Sequence, residues 1–184
     1  MSSPVSSPDA PLSPPRTYAA WSECLDHLIA ANNDARVLEA MQHGSGDFNS
    51  GAVENLVRRL TEVFDARLEQ CHDRFNRQMS HSRDMATLSR ALLDFRHGLT
   101  FLHQLATVKA FPTTIQKHLG EMLDKAAQNT QESLEESAKL DRSGETRQCV
   151  RRHSLLAFRA EAENSSLPPA SPVQARKRQF LYAH

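Results

Sequence analysis

Between Pro15 and Pro112 the chain contains no proline, and eight of its nine prolines lie in the two ends. Proline fixes its own backbone, lacks a donor and breaks a helix interior, so the proline-free span is where long helices can run unbroken. Across residues 17–144 apolar side chains recur at steps of three and four, the spacing that puts them on one face of an α-helix. Aromatic residues make up 6% of the chain and β-branched residues are few, which disfavours sheet. The predicted fold is all-α: an antiparallel helical bundle of three long helices plus an N-terminal helix, with disordered Ser/Pro-rich termini.

Thr17 is placed to cap the first helix, whose stripe is Trp21, Leu25, Leu28 and Ile29. Asn32 and Asn33 interrupt it, Val37, Leu38 and Met41 resume it, and Gly44, Gly46, Asp47, Asn49 and Gly51 mark a loop. After Ser50, a candidate cap, a second stripe runs Val57, Leu60, Phe64, Leu68, Cys71, Phe75, Met79, an eleven-residue repeat close to that of a straight helix. A third opens at Ser82 and reads Met85, Leu88, Leu92, Phe95, Leu99, Leu102, Ala106, alternating threes and fours as a coiled-coil seam does.

Residues 53–79 and 83–110 would each span about 40 Å, and the short link at residues 80–82 predicts an antiparallel hairpin. Phe111 and Pro112 end one helix and start another, because proline disfavours helix before it and suits a first turn. The fourth helix carries Ile115, Leu119, Met122, Leu123, Ala126, Leu134, Ala138 and Leu140, with Gly144 as its stop. Its second half thins to one Leu or Ala per turn among charges and is expected to project past the bundle. Val150, Leu155, Leu156 and Phe158 predict a short fifth helix within residues 149–162.

The domain plan is therefore a disordered Ser/Pro tract at 1–16, a helical bundle at 17–162 and a disordered tail with a basic end at 163–184. The first residues lack the basic start and apolar stretch of a secretory signal, and no apolar run reaches membrane-spanning length. Three widely spaced cysteines without a CxxC pair suit a reducing compartment. These features together predict a cytoplasmic protein with no membrane association.

Chemistry is sparse. His118 and Glu121 share a helix face, but a di-metal bundle site needs two Glu-x-x-His motifs and two further glutamates. His97 and His103 are six residues apart and point to different sides of a helix. Cys71 falls on an apolar stripe, where a small buried hydrophobe is the better assignment than a nucleophile paired with His72. Neither GxGxxG nor GxxxxGK[ST] occurs. No catalytic, cofactor-binding or metal residue is assigned, and a non-enzyme is predicted. Gly98, inside a helix, suggests close approach of a neighbour.

Two polar motifs remain. Arg151-Arg152-His153-Ser154-Leu155 resembles a basophilic kinase substrate, with Ser154 as the acceptor. Arg176, Lys177 and Arg178 stand beside Phe180, Leu181 and Tyr182, material for a nucleic-acid or partner contact together with Arg151 and Arg152. Lysine plus arginine equals aspartate plus glutamate at 22 each, so no global field drives the chain onto nucleic acid. The charge is nevertheless segregated: residues 17–52 hold five acids against one base, and residues 148–184 six bases against two acids. The leading expectation is a helical interaction or scaffold protein that binds protein partners or forms a homo-oligomer. The alternatives are an accessory nucleic-acid-associated protein, as of a bacterial mobile element, using the basic C-terminal region, and a substrate or effector of a specialised secretion system with a disordered N-terminal leader.

Overall fold

The computed structural model describes residues 12–30, 34–45, 50–81 and 84–166. Among them every regular element is helical and no strand occurs. The elements are α1 (Tyr18–Ile29), α2 (Asp34–Gln42), α3 (Ser50–His81), α4 (Met85–Ala106), α5 (Thr113–Ala138), α6 (Glu145–Arg152), a 3-10 turn (Leu155–Ala157) and α7 (Phe158–Ser166). Among the described residues no helix is long and apolar enough to cross a membrane.

α4 is the central element, packed by α3, α5, α6 and α7. Its stripe is deeply buried: Leu92, Leu99, Leu102 and Leu105 are each inaccessible to solvent, beside Phe64, Leu119 and Leu123 from the neighbouring helices. Removing each such side chain from water is worth about 1.5–3 kcal/mol, which makes this seam the main source of cohesion. Along α3 and α4 the contacts run in opposite directions: Cys71 faces Gly98, Phe75 meets Phe95 with ring centroids 6.3 Å apart, and Gln78 donates to Asp94.

α1 lies along the first half of α3, and α2 packs back on α1, with Asp34 paired to Arg67 midway along α3. Thr17 caps α1, its hydroxyl oxygen accepting from the Ala20 N–H at 3.3 Å. Trp21 is fully buried and tilts against Phe111 at 5.6 Å, joining α1 to the α4–α5 corner. The packed region begins before Thr17: Pro15 is buried and its carbonyl accepts from the Ser45 N–H at 3.0 Å. The tract at 1–16 is thus partly placed against the core, because Leu12 and Pro15 bring apolar surface to it. Residues 1–11, which make up most of the proposed leader, and 167–184 lie outside the described residues.

Several boundaries differ from the sequence expectation for identifiable reasons. Ser82 lies outside the described residues; Asp84 is the cap of α4, its carboxylate accepting from the Thr87 N–H at 2.7 Å. α4 stops at Ala106 instead of reaching residue 110. The Thr107 hydroxyl bonds back to the His103 and Gln104 carbonyls, and the chain turns so that Val108 and Phe111 become buried. Pro112 precedes α5, and the Gln116 amide donates to the carbonyls of Val108 and Phe111, reinforcing a corner in which the Val108 carbonyl also accepts from the Phe111 N–H at 3.0 Å.

The end of the chain departs most. α5 does not project past the bundle: α6, the 3-10 turn and α7 fold back over α4 and α5. Gln131 on α5 is only 3% exposed, its Oε1 accepting from the buried Leu155 N–H at 2.9 Å. Leu140, expected in the stripe, is 86% exposed because α5 ends at Ala138. The single short helix expected at 149–162 is instead two helices around a 3-10 turn, and α7 continues to Ser166. Gly144 is not the stop of α5 but the residue before α6, where its φ of 72° favours glycine.

Candidate functional site

The sequence-derived contact residues fall into two groups. Arg151 and Arg152 are exposed on the last turn of α6. Ser154 caps the 3-10 turn, its hydroxyl oxygen accepting from the Leu156 N–H at 3.3 Å, and it stands between buried Val150 and buried Leu155. A kinase would therefore meet this serine in a folded turn, not in an extended strand. Arg176, Lys177 and Arg178 lie outside the described residues.

The histidines and cysteines that spacing singled out do not converge on one point among the described residues. His118 and Glu121 are both exposed, and Glu121 pairs with Lys117 at 3.8 Å. His97 meets Glu161 of α7 at 2.9 Å, whereas His103 sits edge-on to Phe158 with centroids 5.7 Å apart. Burial, with the Arg159 charge, lowers the His103 pKa, so its imidazole is neutral near pH 7. Burial raises the pKa of the Cys71 thiol despite nearby Arg74 and Arg67, and burial does the same for Cys24. Both shifts favour the protonated thiol over the thiolate. Among the described residues no group of three His, Cys, Asp or Glu side chains could hold a metal.

One pairing had no signal in the sequence. Ser89 on α4 and His153 after α6 lie 64 positions apart, yet the hydroxyl and the imidazole Nε2 are 2.5 Å apart. They border a shallow cleft of about 380 Å³ with Glu145, Cys149 and Arg152. A hydroxyl and an imidazole are two parts of a nucleophilic triad, but among the described residues no carboxylate bonds His153 to orient it. What the pair does here is tie the α6 junction to α4.

A groove of about 240 Å³ opens between α3 and α4, beyond Asp34 at the start of α2. Its floor is apolar, built from Cys71, Phe75, Phe95 and Phe101 around Gly98. Gly98 leaves the space that the Cys71 side chain occupies, since a Cβ there would collide with the Sγ. One wall is a row on α3. Arg67 donates to the Leu28 carbonyl at 3.0 Å, pairs with Asp34, and lies over the Phe101 ring at 5.8 Å. Gln78 donates to Asp94 at 2.7 Å across the groove, while its Oε1 is buried without a partner. Periodicity predicted Cys71, Phe75 and Phe95 as core and left Phe101 out of the stripe; that they border a groove depends on where α2 begins, at Asp34.

No protein-family model, curated protein or solved structure matches this chain. The class defined by fold and surface is an all-helical protein with an open groove between two of its long helices.

Proposed function

We propose that this chain is a non-enzymatic helical interaction protein. Its three long helices α3, α4 and α5 act as an antiparallel bundle, and its coiled-coil-type α3–α4 seam presents a surface to protein partners. The observation that carries this reading is a gradient along one stripe of α3. Leu56, Leu60, Val63 and Phe64 are buried, whereas Leu68, Cys71, Phe75 and Met79 on the distal half are only partly covered. An apolar stripe left half-covered on a rigid pair of helices is the usual setting for helix-in-groove recognition. Affinity purification of the full-length chain followed by native mass spectrometry tests it. A stoichiometric complex with another protein or with a second copy is expected; a chain that stays monomeric and alone at micromolar concentration contradicts it.

A second reading, contact with nucleic acid, rests on α6 and the loop before it. Arg142, Arg147, Arg151 and Arg152 are exposed and have no ion-pair partner among the described residues. Asp141 nearby is occupied by hydrogen bonds from Ser143 and Thr146. With Arg176, Lys177 and Arg178 further along, these side chains would act on phosphates through a salt-dependent attraction. Fluorescence anisotropy with duplex and single-stranded DNA at low salt decides it. Binding that weakens on Arg147→Glu and Arg151→Glu and on removal of residues 164–184 supports this reading, and absence of binding ends it.

A further inference from the structure

Arg59, Arg67 and Arg74 are spaced by eight and seven residues and so form one row along a face of α3. The first two hold the layer that covers the proximal half of that helix. Arg59 bonds Ser22 and Asp26 of α1, and Arg67 bonds the Leu28 carbonyl and Asp34 at the start of α2. Each arginine in this pair thus marks where an acidic helical segment lies against α3. The third, Arg74, borders the open groove, is exposed, and has no carboxylate partner among the described residues.

From this pattern, and resting on the interaction reading above, we propose that the groove beyond α2 receives a short amphipathic helix of a partner protein, with an Asp or Glu that pairs with Arg74. The partner's apolar side chains would settle on Phe75 and Phe101. Gln78, held by its bond to Asp94, closes the far end of the same groove. From Arg67 to Gln78 the groove side of α3 is about 17 Å long, room for roughly three helical turns. Residues 167–184 of this chain are a poor occupant, since Arg176, Lys177 and Arg178 would bring like charge to Arg74. The Arg74 pair would set register and partner choice, with the apolar floor supplying most of the affinity.

A displayed library of helix-forming peptides of about sixteen residues, roughly 24 Å when helical, panned against the full-length chain, tests the proposal without knowledge of the partner. Expected are enriched peptides with apolar residues at i, i+3 or i+4, and i+7 and an acidic residue beside them. Their affinity should fall at least tenfold on Arg74→Glu, and a peptide whose acid is replaced by arginine should bind that variant better than it binds the original chain. Arg74 is exposed, so the variant should keep the original melting temperature, checked by circular dichroism. No enrichment, or peptides that bind Arg74→Glu as tightly as the original chain, overturns the proposal. So does a concentration-dependent dimer abolished by Arg74→Glu, which would assign the groove to a second copy. If a native partner is purified that Arg74→Glu still binds fully, the groove assignment fails while the interaction reading stands.

Discussion

Gly98 shows how much a single position can hold that periodicity cannot display. A glycine inside a helix costs about 1 kcal/mol relative to alanine, so on propensity alone Gly98→Ala would stabilise α4. Here the added methyl would strike the Cys71 Sγ. The expected outcome is a net loss of about 1–3 kcal/mol, the usual range for overpacking. Combining Gly98→Ala with Cys71→Ala should recover part of it, giving a coupling above about 0.5 kcal/mol in a urea double-mutant cycle. The sequence located a close approach at Gly98, but the partner atom came from α3, 27 positions away.

Asp141 makes a second prediction at this scale. Hydrogen bonds from Thr146 and then Ser143 hold its carboxyl well below the usual carboxylate range. A pKa depressed in the folded state means that the stabilisation is present above the unfolded value, about 3.9, and is lost as pH falls from there through the folded pKa. Amide exchange at Thr146 should therefore be slow at neutral pH in the original chain and faster in Asp141→Ala. The difference between the two should narrow only below about pH 4.

Among elements, α4 was the most legible because its environment is simple. It is covered by α3 on one side and by α5, α6 and α7 on others, so nearly every apolar position at steps of three and four is buried. Leu99→Ala or Phe95→Ala should cost about 2–5 kcal/mol in chemical denaturation. The second half of α5 was misread because its cover is not purely apolar. Gln131 is a polar residue at a core position, made tolerable by the Leu155 N–H on one side and Glu135 on the other. Gln131→Ala should cost about 1–3 kcal/mol by leaving a buried donor unmet, with exchange accelerating first at Leu155 and along α6 and α7. Helical spacing identifies faces but not which later segment returns to cover them, and the α6–α7 fold-back depends on such returns: Thr100 to the Phe158 carbonyl, Arg96 to Glu161, Arg159 to Asp124.

At the scale of the whole molecule the two halves of the α3–α4 pair differ. The proximal half is enclosed by α1, α2 and the corner at Phe111, whereas the distal half carries the same apolar stripe with less cover and an arginine that repeats the pattern of Arg59 and Arg67 without their carboxylates. The stripe itself was legible from residue spacing. The groove was not, because it arises beyond Asp34, where α2 begins against α3, and that placement is a tertiary fact. The segregated charge has a local counterpart, since acids of α1 and α2 are held by the arginines of α3.

The central claim, that a partner lies along the open half of α3 and α4, is tested most directly by site-specific photocrosslinking in cells. A photoreactive phenylalanine analogue at Gln70 or Phe101, both lining the groove, should yield a discrete protein adduct, while the same analogue at Lys125, exposed on α5, should not. Adducts of equal yield from all three positions, or none from the groove, would contradict the account.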